Sequence, residues 1–164
     1  MIVRPAVPGD AEAIAAVHTR TWFVAYDGIV ERSLMESRVP GRADRWRESL
    51  SAGTSTTWVA VQDGAIIGFA TAGPCRDDDI GPSSGEIWSI YVDPTLQGRG
   101  TGRALIDVAT DALHAAGYGE ATLWVFEANV AARAFYERMG WTHDVAAGAV
   151  ADLWAPEVRY RRAI

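Results

Sequence analysis

Ile90-Tyr91-Val92-Asp93-Pro94-Thr95-Leu96-Gln97-Gly98-Arg99-Gly100-Thr101-Gly102-Arg103-Ala104-Leu105 is suited to chemistry on an anion. A β-branched and aromatic run enters a glycine-rich turn, and a helical pattern follows it. Gly98, Gly100 and Gly102 let the backbone approach a ligand with no Cβ in the way. Such a turn aims several backbone N–H groups at one place, beside the positive end of a helix dipole. A phosphate or pyrophosphate suits that arrangement.

Two common phosphate loops fit poorly. A dinucleotide fingerprint needs G-x-G-x-x-G, and Arg103 stands where the third glycine belongs. A Walker loop needs a lysine, and all 15 basic residues here are Arg. Both loops also follow the first strand of a parallel unit, whereas this turn follows the fourth predicted strand. A helix start that is merely glycine-rich remains the alternative. The lack of lysine excludes a Schiff base as well.

The elements that must position this turn are legible around it. Ile2–Arg4 reads as a strand, and Asp10 as the N-cap of a helix from Ala11 to about Tyr26. Residues 28–50 read as two short helices broken at Pro40-Gly41, the second over Arg42–Leu50. Thr57–Gln62 and Ala65–Ala72 flank Asp63-Gly64, a hairpin signal. Residues 73–85 read as a loop, Glu86–Val92 as a strand, and Leu105–Ala116 as a helical stripe ending at Gly117. Ala121–Phe126 is a strand, Val130–Met139 a helix, and Trp141–Ala146 and Val158–Arg162 the last strands. This order predicts an α/β fold, a mixed sheet of about seven strands with four to five helices on both faces. At 164 residues, without repeat or linker, the chain reads as one domain over 1–164.

Composition narrows the function. The formal net charge is −6, which argues against broad nucleic-acid binding. No stretch is long enough to span a bilayer, and no signal peptide is seen, so a cytoplasmic protein without membrane partners is expected. Cys75 is the one cysteine, which rules out an intrachain disulfide and a Cys-rich zinc site. It reads as a buried or loop thiol. The spacing of His18, His114 and His143 suggests no metal trio, so no metal is expected; His18 is the one to watch.

Gln97-x-x-Gly100-x-Gly102 resembles the Q/R-x-x-G-x-G/A acyl-CoA motif of the GNAT superfamily of N-acyltransferases. Glu86–Val92 and Leu123–Asn129 resemble that family's fourth strand and its fifth strand with the following turn. Ala131–Trp141 resembles its A-x-x-F-Y-x-x-x-G-F/W helix, and Arg4-Pro5-Ala6 with Asp10-Ala11 its opening. The resemblance covers essentially the whole chain. It implies a bacterial-type acetyltransferase that uses acetyl-CoA, with fourth and fifth strands splayed apart to admit pantetheine.

By that resemblance Ile90, Tyr91 and Val92 would meet pantetheine through the backbone, and Asn129 and Ala132 would flank it. Gln97, Gly98, Arg99, Gly100, Thr101, Gly102 and Arg103 would hold the pyrophosphate, the arginines adding charge. Tyr136 would also touch the cofactor and protonate the leaving thiolate. Glu86 would serve as base, since an alkyl amine is only about one part in 2,500 neutral at pH 7. Glu86 and Trp88 alternate onto one side of the strand. Trp22 and Tyr26, at i and i+4, would line the acceptor cleft with Trp88. Trp46, Trp58 and Trp124 read as core. Asp77-Asp78-Asp79 reads as a solvated loop, with attraction of a cationic amine as the alternative. The acceptor is expected to be a small-molecule amine. A protein N-terminus and a non-catalytic acyl-CoA-binding module are the alternatives, and the resemblance leaves a homodimer open.

Overall fold

The computed structural model describes residues 1–151 and 154–164. Among these, strands β1 (Ile2–Pro5), β2 (Thr56–Gln62), β3 (Ala65–Pro74), β4 (Ser84–Val92), β5 (Glu120–Phe126), β6 (Thr142–His143), β7 (Val150–Ala151) and β8 (Pro156–Ala163) form one mixed sheet. Its order is β1-β2-β3-β4-β5-β8-β6, with β7 paired to β8. Helices α1 (Ala11–Ala25), α2 (Arg32–Ser37), α3 (Arg42–Ala52), α4 (Thr101–Ala115) and α5 (Val130–Arg138) flank it. The α/β fold is as expected from the sequence. No helix among the described residues is long and apolar enough to cross a membrane.

The hairpin between β2 and β3 turns at Asp63 and Gly64, both left-handed, as a two-residue loop of the right twist requires. Apolar residues of the strands alternate between two helical layers. Leu105, Ile106 and Ala109 of α4 pack with Ala60, Ala70, Ala72 and Ile87 on one face. Ile14 and Val17 of α1, with Trp46 of α3, pack with Val59 and Phe69 on the other.

Only β4 and β5 run parallel, and their pairing stops early. It runs from Ser84–Glu120 to Ile87–Leu123 and then ends. On the other side of β4, Ile87 opposes Ala72 while Ser89 opposes Thr71, so Trp88 is an extra residue that kinks the strand. This is the expected splay.

Two local expectations fail. Of the strand expected over 141–146, only Thr142–His143 pairs, and Val145–Ala147 is a 3-10 turn. The reason is Asp144: its amide donates to the Arg159 carbonyl at 2.8 Å and its carboxylate accepts from the Arg159 side chain at 2.9 Å, which turns the chain. Asp10 precedes α1, but its carboxylate does not cap it. It accepts from Arg4 at 2.7 and 2.9 Å and from the Val7 amide at 2.9 Å instead.

Arg159 of β8 is 3 % exposed and gathers three carboxylates. It bonds Asp77 at 3.1 Å, Asp79 at 2.7 Å and Asp144 at 2.9 Å. The acidic loop is therefore pinned to the sheet through Asp77 and Asp79, which corrects the solvated reading for Asp77; Asp79 stays 64% exposed despite its bond, and Asp78 is exposed without such a bond among the described residues. Removing one member of a buried ion cluster leaves the others uncompensated. Arg159→Met is expected to destabilise the fold by about 3 kcal/mol or more, read as a lower urea midpoint at unchanged m-value.

Candidate active site

Past Ile87 and Leu123 a cleft of about 1390 Å³ opens between β4 and β5. Its mouth is the glycine turn. Gly98 and Gly100 take φ of +76° and +86°, conformations that L side chains rarely adopt. Gly100 is the N-cap of α4, and no side chain caps that end. The first-turn amides of α4 therefore keep their donors for a ligand, and Thr101, Gly102 and Arg103 all line the cleft. A Cβ on Gly102 would lie 3.4 Å from the Phe135 ring, an ordinary contact, so α4 packs against α5 here. Arg103 is tied only loosely, at 3.6 Å, to Asp107.

The middle of the cleft lies between β4 and α5. Ile90, Tyr91, Val92 and Gln97 line one wall, and Asn129, Ala132 and Tyr136 the other. Asn129 caps α5, accepting from the Ala132 amide at 3.2 Å. Tyr136 is buried. Burial, with Tyr91 as a further influence, pushes its phenol above the ordinary tyrosine range, so it holds its proton at neutral pH. The Tyr91 ring points the other way: its hydroxyl accepts from Trp22 Nε1 at 3.0 Å and shares a bond of 2.9 Å with the Tyr26 hydroxyl.

Beyond the split, on the α1 side, the cleft becomes an aromatic chamber. Trp22, Tyr26, Phe126, Trp154, Trp88 and Trp124 line it. Trp22 meets Trp154 at 5.2 Å and Tyr26 meets Phe126 at 4.8 Å, both edge to face. Glu86 lies in its floor, 1 % exposed. The Glu86 carboxylate accepts from the Arg76 amide at 2.9 Å and from Arg76 Nε at 3.1 Å, with a third contact from Nη2. The Arg76 guanidinium lies 4.6 Å over the Trp88 ring, so Glu86 and Trp88 share a side through Arg76.

The structure thus brings together Glu86, Trp88, Trp22, Tyr26, Tyr136 and every candidate of the glycine turn except Arg99, which does not line the cleft. Sequence reasoning missed Arg76, Trp154 and Phe135. It also placed Trp124 in the core, whereas Leu123 and Val125 take the core face and Trp124 turns to the chamber, donating to Asp77 at 3.0 Å. Alternation along β5 carries that signal; the absence of a covering strand does not show in it.

Other candidates lie apart. The Cys75 thiol is half-buried, 3.5 Å from Thr122 Oγ1. His114 is exposed, and His143 stacks on Tyr160. No group of His, Cys, Asp and Glu among the described residues converges as a metal set. His18 sits behind the chamber, its Nδ1 accepting from Trp46 Nε1 at 3.1 Å.

Comparison with known proteins agrees with this geometry. Residues 16–141 match the model of the acetyltransferase (GNAT) family. A probable N-acetyltransferase of Mycobacterium tuberculosis is 32% identical over 141 residues, 83% of this chain and 76% of that protein. A mycothiol acetyltransferase of Beutenbergia cavernae is 50% identical over 60 residues, 37% of this chain but only 20% of that protein. In fold, the chain is similar to the PaiA N-acetyltransferase of Thermoplasma acidophilum in complex with coenzyme A. The TM-score is 0.81 at 20% identity, over 99% of this chain and 98% of that one.

The chamber has a pH signature of its own. Burial, with Arg42 and Arg45 nearby, lowers the His18 pKa to about 3, against about 6.5 unfolded. Between these values the unfolded chain binds the extra proton, so stability falls as pH drops from about 6.5 toward 3. The slope from this group approaches about 1.4 kcal/mol per pH unit inside that window. Urea unfolding at pH 7 and pH 5 is expected to show a smaller acid loss in His18→Phe than in the wild type; equal losses would remove His18 from the account.

Proposed function

We propose, from the premise that the chain belongs to the GNAT acetyltransferase family and is an acyltransferase, that it moves the acetyl group of acetyl-CoA to a primary amine of a small molecule. One observation carries this reading. A single cleft joins an uncapped helix N-terminus at Gly100 to an aromatic chamber, across a gap between two strands. We take residues 1–164 to act as one domain, in a bacterial cytoplasm, in keeping with the bacterial relatives.

The residues present fit the acyl donor. Amides from Gly98 to Arg103 would receive the pyrophosphate, with Arg103 and, from outside the lining, Arg99 adding charge. The backbone of Ile90 and the amide of Val92 would bond pantetheine as a strand would, with Asn129 and Ala132 opposite; the Val92 carbonyl already accepts from Thr21 Oγ1 and Gln97 Nε2, each at 3.3 Å. Acetyl-CoA supplies a thioester that a neutral amine attacks: the N–C bond forms, the C–S bond breaks and CoA leaves. Aromatic walls favour the neutral amine by excluding water. Glu86, held in place by Arg76, would take the proton that the nitrogen loses, directly or through a water. The Tyr136 phenol, kept protonated by burial, would give its proton to the departing sulfur.

A small acceptor is favoured over a peptide by the contacts that cross the chamber at Trp154. Trp154 packs on Trp22, and the Arg38 guanidinium lies 5.3 Å over the Trp154 ring, joining the α1–α2 region to the segment that leads into β8. A peptide would need an open groove there.

Acetyl-CoA at 100 times its Kd is expected to add about 2.7 kcal/mol and several degrees to Tm, and NAD nothing. No shift with acetyl-CoA would sink this reading. Tyr136→Phe is expected to keep that shift while kcat falls by about a hundredfold or more. In Glu86→Gln the acidic limb of the pH–rate profile is expected to disappear; a limb that persists would exclude Glu86 as the titrating base.

A further inference from the structure

The chamber holds a cationic side chain with donors to spare. Arg76 follows β3 and lines the cleft. Glu86 engages its amide, its Nε and its Nη2. Among the described residues, Arg76 Nη1 donates to no acceptor. A guanidinium carries two N–H donors on that nitrogen, and it cannot shed its charge. The side chain is 58% exposed, while Glu86 behind it is 2% exposed.

Arg76 is also held still. Trp88 supports one face of the guanidinium at 4.6 Å. Glu86 fixes one edge. The next residue, Asp77, is anchored by Trp124 Nε1 at 3.0 Å and by buried Arg159 at 3.1 Å. A fixed fork with one open nitrogen is a recognition element for a planar anion, above all a carboxylate.

We infer that Arg76 selects the acceptor, and that the acceptor carries a carboxylate close to its amine on an apolar body, as a hydrophobic amino acid does. This rests on the proposed acetyltransferase reading and narrows its substrate class. The carboxylate bonds Nη1 of Arg76. The amine then lies toward Glu86, the carboxylate on the other edge of the same guanidinium, where its proton must go. The acceptor carboxylate thereby meets the guanidinium charge, and the amine faces the cleft on the side from which water can carry its proton to Glu86. The apolar body is covered by the faces of Trp22, Tyr26 and Trp154. An amine with no anion leaves the Nη1 donors to water and forgoes the charge-assisted bond that a carboxylate makes there.

The test compares matched pairs: L-phenylalanine with 2-phenylethylamine, and L-leucine with 3-methylbutylamine. Rates are followed by CoA-thiol release and expressed per mole of neutral amine. In the wild type, kcat/KM is expected to favour the amino acid by about tenfold or more. In Arg76→Gln that ratio is expected to collapse to within about threefold, whatever happens to the absolute rates. Arg76→Lys is expected to fall between, keeping the charge but losing the fork. Equal rates within a pair in the wild type overturn the inference. So does a ratio unchanged in Arg76→Gln while both rates fall, since that marks a merely structural arginine. Acetylation of neither member, by a protein whose Tm rises with acetyl-CoA, overturns this acceptor class and leaves the acetyl-CoA reading standing. Absence of the Tm shift sinks that reading itself.

Discussion

The pairing of β4 with β5 ends at Ile87–Leu123, and the rest of the molecule is arranged around that ending. A sheet interior does not leave N–H and C=O groups unpaired without compensation. Here the compensation is positional. The extra residue Trp88 kinks β4 away, β3 keeps its other edge paired, and β8 keeps β5 paired on the far side. The sheet becomes two wings with a gap whose walls still carry free hydrogen-bonding groups. α4 starts at the top of that gap, with its first amides uncapped.

Two wings joined by a short ladder need struts, and two kinds are present. At the loop between β3 and β4, Asp77 and Asp79 of one wing meet Arg159 of the other. Buried ion clusters contribute little net stability for their cost, but they define geometry sharply. On the α1 side, Trp22 with Trp154 and Tyr26 with Phe126 span the gap by edge-to-face contacts. These tolerate small displacements better than an ion pair does. The ionic strut therefore sets where Arg76 and Glu86 stand, and the aromatic one covers the space beside them.

The two ends of the cleft differ in the same physical sense. The glycine turn is exposed and cationic, suited to an anion that keeps part of its hydration. The chamber is walled by rings, and burial there displaces protonation equilibria. The Tyr136 phenol retains its proton and the His18 imidazole stays neutral, each driven chiefly by loss of water. Glu86 is buried here only as the partner of Arg76, whose side chain reaches solvent while its guanidinium compensates the buried carboxylate.

Much of this was written locally. The period-2 strands, the Asp63-Gly64 hairpin and the glycine turn into α4 depend on neighbours in sequence, so pattern and turn chemistry reveal them. Tyr136 and Asn129 were legible for the same reason, each belonging to a short continuous motif. Arg76, Trp124 and Trp154 were not. Their roles arise from contacts across 10 residues to Glu86, 47 to Asp77 and more than a hundred to Trp22. The acidic loop and the lost strand after Thr142–His143 share one cause, a buried Arg159 that draws carboxylates from two distant segments. The sequence by itself determined the elements, the glycine turn at the start of α4 and the family's motifs, because these need only local geometry. The tertiary structure alone decided which side chains face the gap, because burial, charge pairing and a strand left without a partner are properties of the assembled sheet.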